Sequence, residues 1–244
     1  MKRAIREWTD EMISAGIIRP SKSPYSAPTF CVKKAVGWRI VHDFRGINAK
    51  IKIPATPVPR KEDIYDAMRH GKLFSAMDLL CFFFQVRLRE QDIPYTAFST
   101  PDGLSEYLVT PMGLSCSPAA FNQLMQRVFA DQRAFCKAYF DDLFVFTPSD
   151  SMEEHLAALE KVLERCKEEQ LYIKLSKCTF CASEIPCLGD FIGADGIRMD
   201  PDKISIIKKL PTPEDEARAP VVPGHVRVCA EILSRICGAH GATD

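Results

Sequence analysis

The sequence predicts an α+β fold with a mainly antiparallel sheet. Three observations predict it. Strand-like apolar runs follow one another without regular crossover helices between them. TFCVKK with WRIVHDF, and AYFDDLFVF alone, read as hairpins folding back through short turns. The helical stretches are apolar along one side, as covers for a sheet are.

The elements follow in order. Residues 2–15 read as a helix, with Ile5, Trp8, Met12 and Ile13 near helical spacing and Gly16 as a stop. RPSKSPYSAP is loop. TFCVKK and WRIVHDF make a hairpin with basic ends and Gly37 in its turn. IPATPVPRKED carries three prolines and reads as an extended connector, and a short helix after it ends at Gly71. LFSAMDLLCFFFQVRL opens as a buried strand interrupted by one acid, Asp78. Pro118 marks a helix start, and Phe121, Leu124, Met125, Val128 and Phe129 form an apolar stripe behind it. AYFDDLFVF places Asp141-Asp142 in the turn between two apolar arms. Ser151 and Glu154 make a capping box, before a helix with Leu156, Leu159, Leu163 and Cys166 on one side. LYIKL and CLGDFIGADGIRM read as further strand pieces. The tail after Leu210 is rich in Pro, Ala and charge, with one short helix expected near Val228–Ile236.

The 244 residues suffice for one large domain or two small ones. A content of 46% hydrophobic and 26% charged residues is that of a globular protein. No apolar run approaches the roughly 20 residues of a membrane span. MKRAIREWTD lacks the apolar segment of a signal peptide. A soluble intracellular protein is therefore expected, neither secreted nor bound to a membrane. The ten cysteines are dispersed, as free thiols in a reducing compartment are. Cys178, Cys181 and Cys187 give C-x2-C and a third Cys, but no fourth ligand follows at finger-like spacing, so zinc is not expected. The formal net charge is zero, yet residues 1–61 hold 13 Lys/Arg against 4 Asp/Glu, an excess of +9 (13 − 4) that the remainder balances. A basic N-terminal third suits a phosphate-rich partner, although a solvated basic surface reads the same way.

Three acids stand out. Asp78 ends one apolar strand, and Asp141-Asp142 cap a hairpin of two more. Taken singly, each reads as an ordinary turn or strand-end residue. If the strands are neighbours, three carboxylates converge at one sheet edge. That cluster is unfavourable alone and favourable around divalent cations. Hard oxygen ligands select magnesium or manganese, and two such ions about 4 Å apart form a clamp for phosphoryl transfer.

Eight blocks then occur in one order: GIIRPSKSPYSAP, VKK…GWRIVHDFRGIN, LFSAMDL, YTAFSTPDG, PMGLSCSPAAFNQLM, AYFDDLFVF, KLSKCTF and LGDFIGADGIRMDPDKI. Over about residues 8 to 213 they resemble the reverse transcriptase domain of gypsy-type long-terminal-repeat retrotransposons and of retroviruses. The family signature is Tyr-x-Asp-Asp, and Tyr139-Phe140-Asp141-Asp142 fits it. The resemblance implies a right-hand polymerase fold: fingers over 1–53 and 86–116, palm over 54–85 and 117–196, and the start of a thumb or connection over 197–244.

The resemblance also implies a reaction, attack of a primer 3′-hydroxyl on the α-phosphorus of a deoxynucleoside triphosphate, directed by an RNA or DNA template. By that likeness Asp78 and Asp141 hold two magnesium ions with help from the Leu79 carbonyl, and Asp142 completes the cluster. Arg39 with Lys33 or Lys34 would clamp the triphosphate. Phe83 falls at the family's aromatic steric gate, Met112 and Gly113 beside the nucleotide, and Leu188 and Gly189 at the primer grip. For Phe83, Met112 and Leu188 a plain core role is the competing reading. The setting implied is cytoplasmic, in a virus-like particle, or nuclear.

Some residues depart from the family pattern. Phe82 stands where a small residue is expected close to the nucleotide, and His42 and Gly46 differ from the commoner residues beside Asp43-Phe44-Arg45. After KKLPTPED the tail matches none of the family's thumb helices, so a truncated thumb is expected, without protease, RNase H or integrase portions. The alternative function is a catalytically impaired, element-derived remnant that at most binds nucleic acid. A two-metal nuclease or phosphatase is compatible with the acids alone, but the ordered blocks argue against it.

Overall fold

A computed structural model describes residues 2–35, 37–53 and 59–208 of the chain. The element order is α1 (Lys2–Ser14), β1 (Ile18–Pro20), β2 (Thr29–Lys33), β3 (Trp38–His42), α2 (Arg45–Asn48), α3 (Lys61–Met68), β4 (Leu73–Asp78), β5 (Phe98–Thr100), β6 (Gly103–Tyr107), α4 (Ser117–Val128), β7 (Cys136–Tyr139), β8 (Asp142–Thr147), α5 (Met152–Glu168), β9 (Thr179–Ala182), β10 (Glu184–Cys187), β11 (Asp190–Gly193), β12 (Gly196–Met199) and α6 (Pro201–Lys208). Two compact units divide the chain, Met1–Ile197 and Arg198–Asp244. In the second, the described residues are the end of β12 and α6. The expected helix near Val228–Ile236 and the altered thumb lie outside the described residues, as does part of the proline-rich connector. Among the described residues no helix is long and apolar enough to cross a membrane.

The central element is a four-stranded antiparallel sheet in the order β7-β8-β4-β9. Strand side chains alternate between faces. From β4 and β8, Met77, Leu143 and Val145 turn to one face, where Phe121, Met125 and Val128 of α4 and Leu159 and Val162 of α5 bury them. Phe74, Ala76, Phe144 and Phe146 turn to the other face and pack on α3 and the β10–β11 hairpin. Both faces are covered, so β4 and β8 read as near-continuous apolar runs. Gly71 precedes β4 because a Cβ there would lie 2.5 Å from the fully buried Phe74 ring.

A second sheet, β1-β6-β5, and the β2–β3 hairpin complete the N-terminal part. Their core gathers Ile18, Phe44, Phe98 and Tyr107, with Trp8 and Met12 of α1 packed against it. His42, one of the departures from the family pattern, is buried here. Its ring nitrogens bond Thr29 Oγ1 at 2.9 Å and the Tyr107 hydroxyl at 2.9 Å. Burial pushes its pKa down to about 4.

Several expectations are corrected. The hairpin turn is Phe140-Asp141, not Asp141-Asp142, because Asp142 already pairs with Tyr139 as the first residue of β8. Phe140 makes this two-residue turn possible by adopting φ +50°. LYIKL is not a strand. It touches the sheet through one bridge, Ile173 to Leu79, and runs into a single turn of 3₁₀-helix at Leu175–Lys177. CLGDFIGADGIRM is not one strand but β11 between two turns, flanked by the end of β10 and by β12. The apolar stripe of α5 is rotated: His155, Ala158, Leu159, Val162 and Cys166 are buried, while Leu156 and Leu163 are exposed. His155 tolerates this because Ser75 Oγ lies 2.8 Å from one ring nitrogen and Thr147 Oγ1 lies 2.9 Å from the other. Ile13 likewise faces solvent rather than the core. The Ser151 cap forms as expected, accepting from the Glu154 amide at 3.4 Å.

Candidate active site

The acids meet through strand register. Asp78, the last residue of β4, pairs with Asp142, the first of β8, and Asp142 pairs in turn with Tyr139 of β7. Directly opposed residues share a sheet face, with Cβ atoms about 4.5–5.5 Å apart. Asp78 and Asp142 therefore stand side by side, and Asp141 sits in the adjoining turn. The Leu79 amide donates to the Asp141 carbonyl at 2.8 Å, tying the turn to the end of β4. The turn is strained in one place, because a phenylalanine at φ +50° adopts a conformation that L residues seldom take.

The electrostatics follow from this crowding. Burial, together with Asp141 and Asp78, pushes the Asp142 carboxyl up to about 6, against a downward pull from Lys177. Lys177 donates to Asp78 Oδ2 at 2.8 Å, from an exposed position onto a carboxylate whose side chain is 17% exposed. That hydrogen bond, with the field of all three acids, holds the Lys177 pKa above its ordinary value. Among the described residues no three His, Cys, Asp or Glu side chains stand in a metal-holding group. Register joins Asp78 to Asp142, Asp141 sits in the turn beside them, and Lys177 holds Asp78. The donor set still suits a hard divalent cation: carboxylate oxygens in excess, one of them destabilised in its charged form by its neighbours.

The loop behind Asp78 carries the aromatic run. Phe82, Phe83 and Phe84 lie in one 3₁₀ turn, Phe82–Gln85, entered through Cys81 at φ +46°. Phe82 and Phe83 lean on Phe121 of α4, with ring centroids 5.2 and 6.2 Å away, and remain half-buried. Phe84 turns to the other core, 6.0 Å from the Tyr107 ring. Phe82, the departure from the family pattern in this run, thus rests on α4. Gln85 braces the loop by donating to the carbonyls of Leu80 and Tyr172 and accepting from the Tyr172 amide.

The remaining predicted residues form two groups. Arg39 of β3 reaches Met112, its Nη2 lying 3.6 Å from the sulfur. Gly113 follows Met112 at φ +100°, where a Cβ would lie 3.4 Å from the Phe44 ring. Asn48 holds this loop from both sides, donating to the Gly113 carbonyl at 2.9 Å and accepting from the Ser115 amide at 2.9 Å. Lys33 and Lys34 are exposed at the end of the same hairpin. Leu188 and Gly189 form the two-residue turn between β10 and β11, both in the left-handed region at φ +49° and +85°. Leu188 packs against the cluster that also receives Tyr139. Sequence reasoning missed Lys177, Gln85 and Asn48. Only their partners, far along the chain, reveal them. The eight cysteines among the described residues, including Cys178, Cys181 and Cys187, are free thiols.

Comparison with known proteins agrees with this geometry. Residues 31–192 match the family model described as reverse transcriptase (RNA-dependent DNA polymerase). The chain is 34% identical over 221 residues to the retrovirus-related Pol polyprotein from transposon opus of Drosophila melanogaster, covering 87% of this chain and 22% of that polyprotein. It is 34% identical over 219 residues to the enzymatic polyprotein of Cestrum yellow leaf curling virus, covering 86% of this chain and 34% of the polyprotein. Among solved structures, the foamy viral protease-reverse transcriptase in complex with RNA/DNA hybrid superposes with a TM-score of 0.78 at 24% identity, covering 87% of this chain and 28% of that one. A form of the same foamy viral protein in complex with double-stranded DNA gives 0.79 at 22% identity, with 98% and 44% coverage. The fold is that of a right-hand polymerase, of which this chain spans a part. The chain belongs to the reverse transcriptase family.

Proposed function

We propose that this chain performs RNA-directed DNA synthesis as the polymerase portion of a retrotransposon polyprotein. The observation that carries the reading is the register pairing of Asp78 with Asp142 beside the Phe140-Asp141 turn. Asp78 and Asp141, with the Leu79 carbonyl, would hold two magnesium ions, or manganese in their place, and Asp142 would complete the negative field. Bound there, divalent cations supply the charge neutralisation that phosphoryl transfer needs. The chain's own groups do the positioning. Arg39 with Lys33 or Lys34 binds the triphosphate through charge-assisted hydrogen bonds. Phe83 lies under the sugar and excludes a 2′-hydroxyl, Met112 and Gly113 form the wall beside the nucleotide, and Leu188 and Gly189 hold the primer end.

The foamy viral relatives solved with RNA/DNA hybrid and with double-stranded DNA support a primer–template partner. The polyprotein relatives, of which the chain spans about a fifth to a third, support a role as one portion of a longer polyprotein; in this reading protease, RNase H and integrase portions are its partners. In this reading residues 1–53 and 86–116 act as fingers and 54–85 and 117–196 as palm. The test is extension of a DNA primer on an RNA template with magnesium and deoxynucleoside triphosphates. Asp78→Asn and Asp141→Asn are expected to lower the rate at least about 100-fold while keeping the fold. No extension by the folded wild-type chain, or equal rates in the variants, rejects the reading.

A further inference from the structure

The β10–β11 turn is fastened to α3 by three polar side chains that the catalytic reading leaves unused. Lys61, at the start of α3, places Nζ 2.5 Å from Asp190 Oδ2. Tyr65, one turn later, directs its hydroxyl to the Cys187 carbonyl at 2.8 Å and to the same Asp190 oxygen at 3.1 Å. Cys187 and Asp190 are register partners, the residues on either side of Leu188-Gly189. A phenol has one proton, so Tyr65 alone cannot satisfy both acceptors at once, and the Lys61 ammonium supplies the second donor. Both ends of the turn are thereby tied to one helix.

The attachment matters because the turn itself is costly. Leu188 is a branched residue at φ +49°, a conformation disfavoured for L side chains. The turn also sits close to the acids. Cys187 shares a buried cluster with Phe144 and Phe146 of β8, and Leu188 packs against that cluster as does Tyr139, the register partner of Asp142. Asp190 is shielded, its side chain 18% exposed, and Lys61 is 34% exposed. A polar contact at that depth is ordered rather than a transient surface pair.

We propose that Lys61, Tyr65 and Asp190 form a clamp that fixes the Leu188-Gly189 turn beside Asp142 and so positions the primer terminus. They are positioning residues, acting through the turn. The proposal rests on the reading of that turn as the primer grip. It predicts that the three side chains control engagement of the primer end and leave nucleotide binding alone.

The test uses the full chain with a DNA primer annealed to an RNA template. Tyr65→Phe keeps the ring and removes the hydroxyl, and Asp190→Asn keeps the volume and removes the charge. Each is expected to weaken primer–template binding about fivefold, the loss of one buried hydrogen bond, with the KM for the nucleotide within about twofold of wild type. Lys61→Met is expected to do the same, and Lys61→Arg to restore binding. Amide hydrogen exchange at residues 187–190 in the free protein is expected to quicken in Tyr65→Phe and Asp190→Asn. A merely structural role would instead lower the melting temperature and move both constants together. Wild-type synthesis with variants indistinguishable in binding and exchange overturns the clamp and leaves the polymerase reading standing. A folded wild-type chain that engages no primer overturns both.

Discussion

Asp142→Asn is predicted to stabilise the protein while removing one of the three acids proposed to act in catalysis. Burial and two neighbouring carboxylates raise the Asp142 pKa from 3.8 to about 6 in the folded state. A raised acid pKa means that ionisation costs the folded state free energy. That penalty is absent below the unfolded pKa, develops as pH rises from about 4 to about 6, and is constant above. A shift of about two units corresponds to roughly 3 kcal/mol. Solvent screening of a half-buried carboxyl reduces this to about 1–2 kcal/mol. Asparagine has nearly the same shape and no charge, so the variant escapes the penalty. In EDTA at pH 7.5 its melting temperature is expected to lie roughly 3–6 °C above wild type. At pH 4.5 only about half of the difference should remain, because wild-type Asp142 is then largely protonated in the folded state. Thermal unfolding followed by circular dichroism at both values decides it. An unchanged or lower melting temperature at pH 7.5, or a pH-independent difference, would refute the electrostatic account of the site.

Other perturbations test other links. Lys177→Met removes the ammonium that pulls the Asp142 pKa down, so the Asp142 carboxyl should titrate higher still in a carbon-detected NMR titration; an unmoved midpoint contradicts the pairing. Phe121→Ala deletes a fully buried ring that meets Phe82 and Phe83, and should cost about 3–5 kcal/mol in urea unfolding; a loss under about 1 kcal/mol would show that the aromatic run does not rest on α4. Asn48→Ala frees the loop at Gly113 and Ser115, and should raise the nucleotide KM about five- to tenfold with kcat little changed; an unaltered KM would detach that loop from nucleotide binding.

Much of the site was legible because charges stand out against apolar strands. Asp78 and the Asp141-Asp142 pair interrupt runs that are otherwise buried on both faces, and those runs are β4 and β8. The turn was misplaced by one residue because nothing local marks Phe140 for a positive φ. The stripe of α5 was misread because His155 looks like a surface residue until Ser75 and Thr147 are seen to satisfy it. LYIKL alternates like a strand, yet the Gln85 side chain takes the Tyr172 amide and leaves one bridge to the sheet. Lys177 lies 99 residues from Asp78, and Lys61 lies 129 from Asp190. No periodicity or spacing rule reaches across such intervals, so only the fold displays these pairs.

The proposed activity is template-directed DNA synthesis at Asp78 and the Tyr139–Asp142 hairpin. Single-nucleotide incorporation tests it most directly, on four RNA templates that differ only in the first unpaired base, with magnesium present. The folded chain is expected to add the complementary deoxynucleotide in each case, and Asp141→Asn to add none. Incorporation that ignores the template base, or that survives Asp141→Asn, would contradict it.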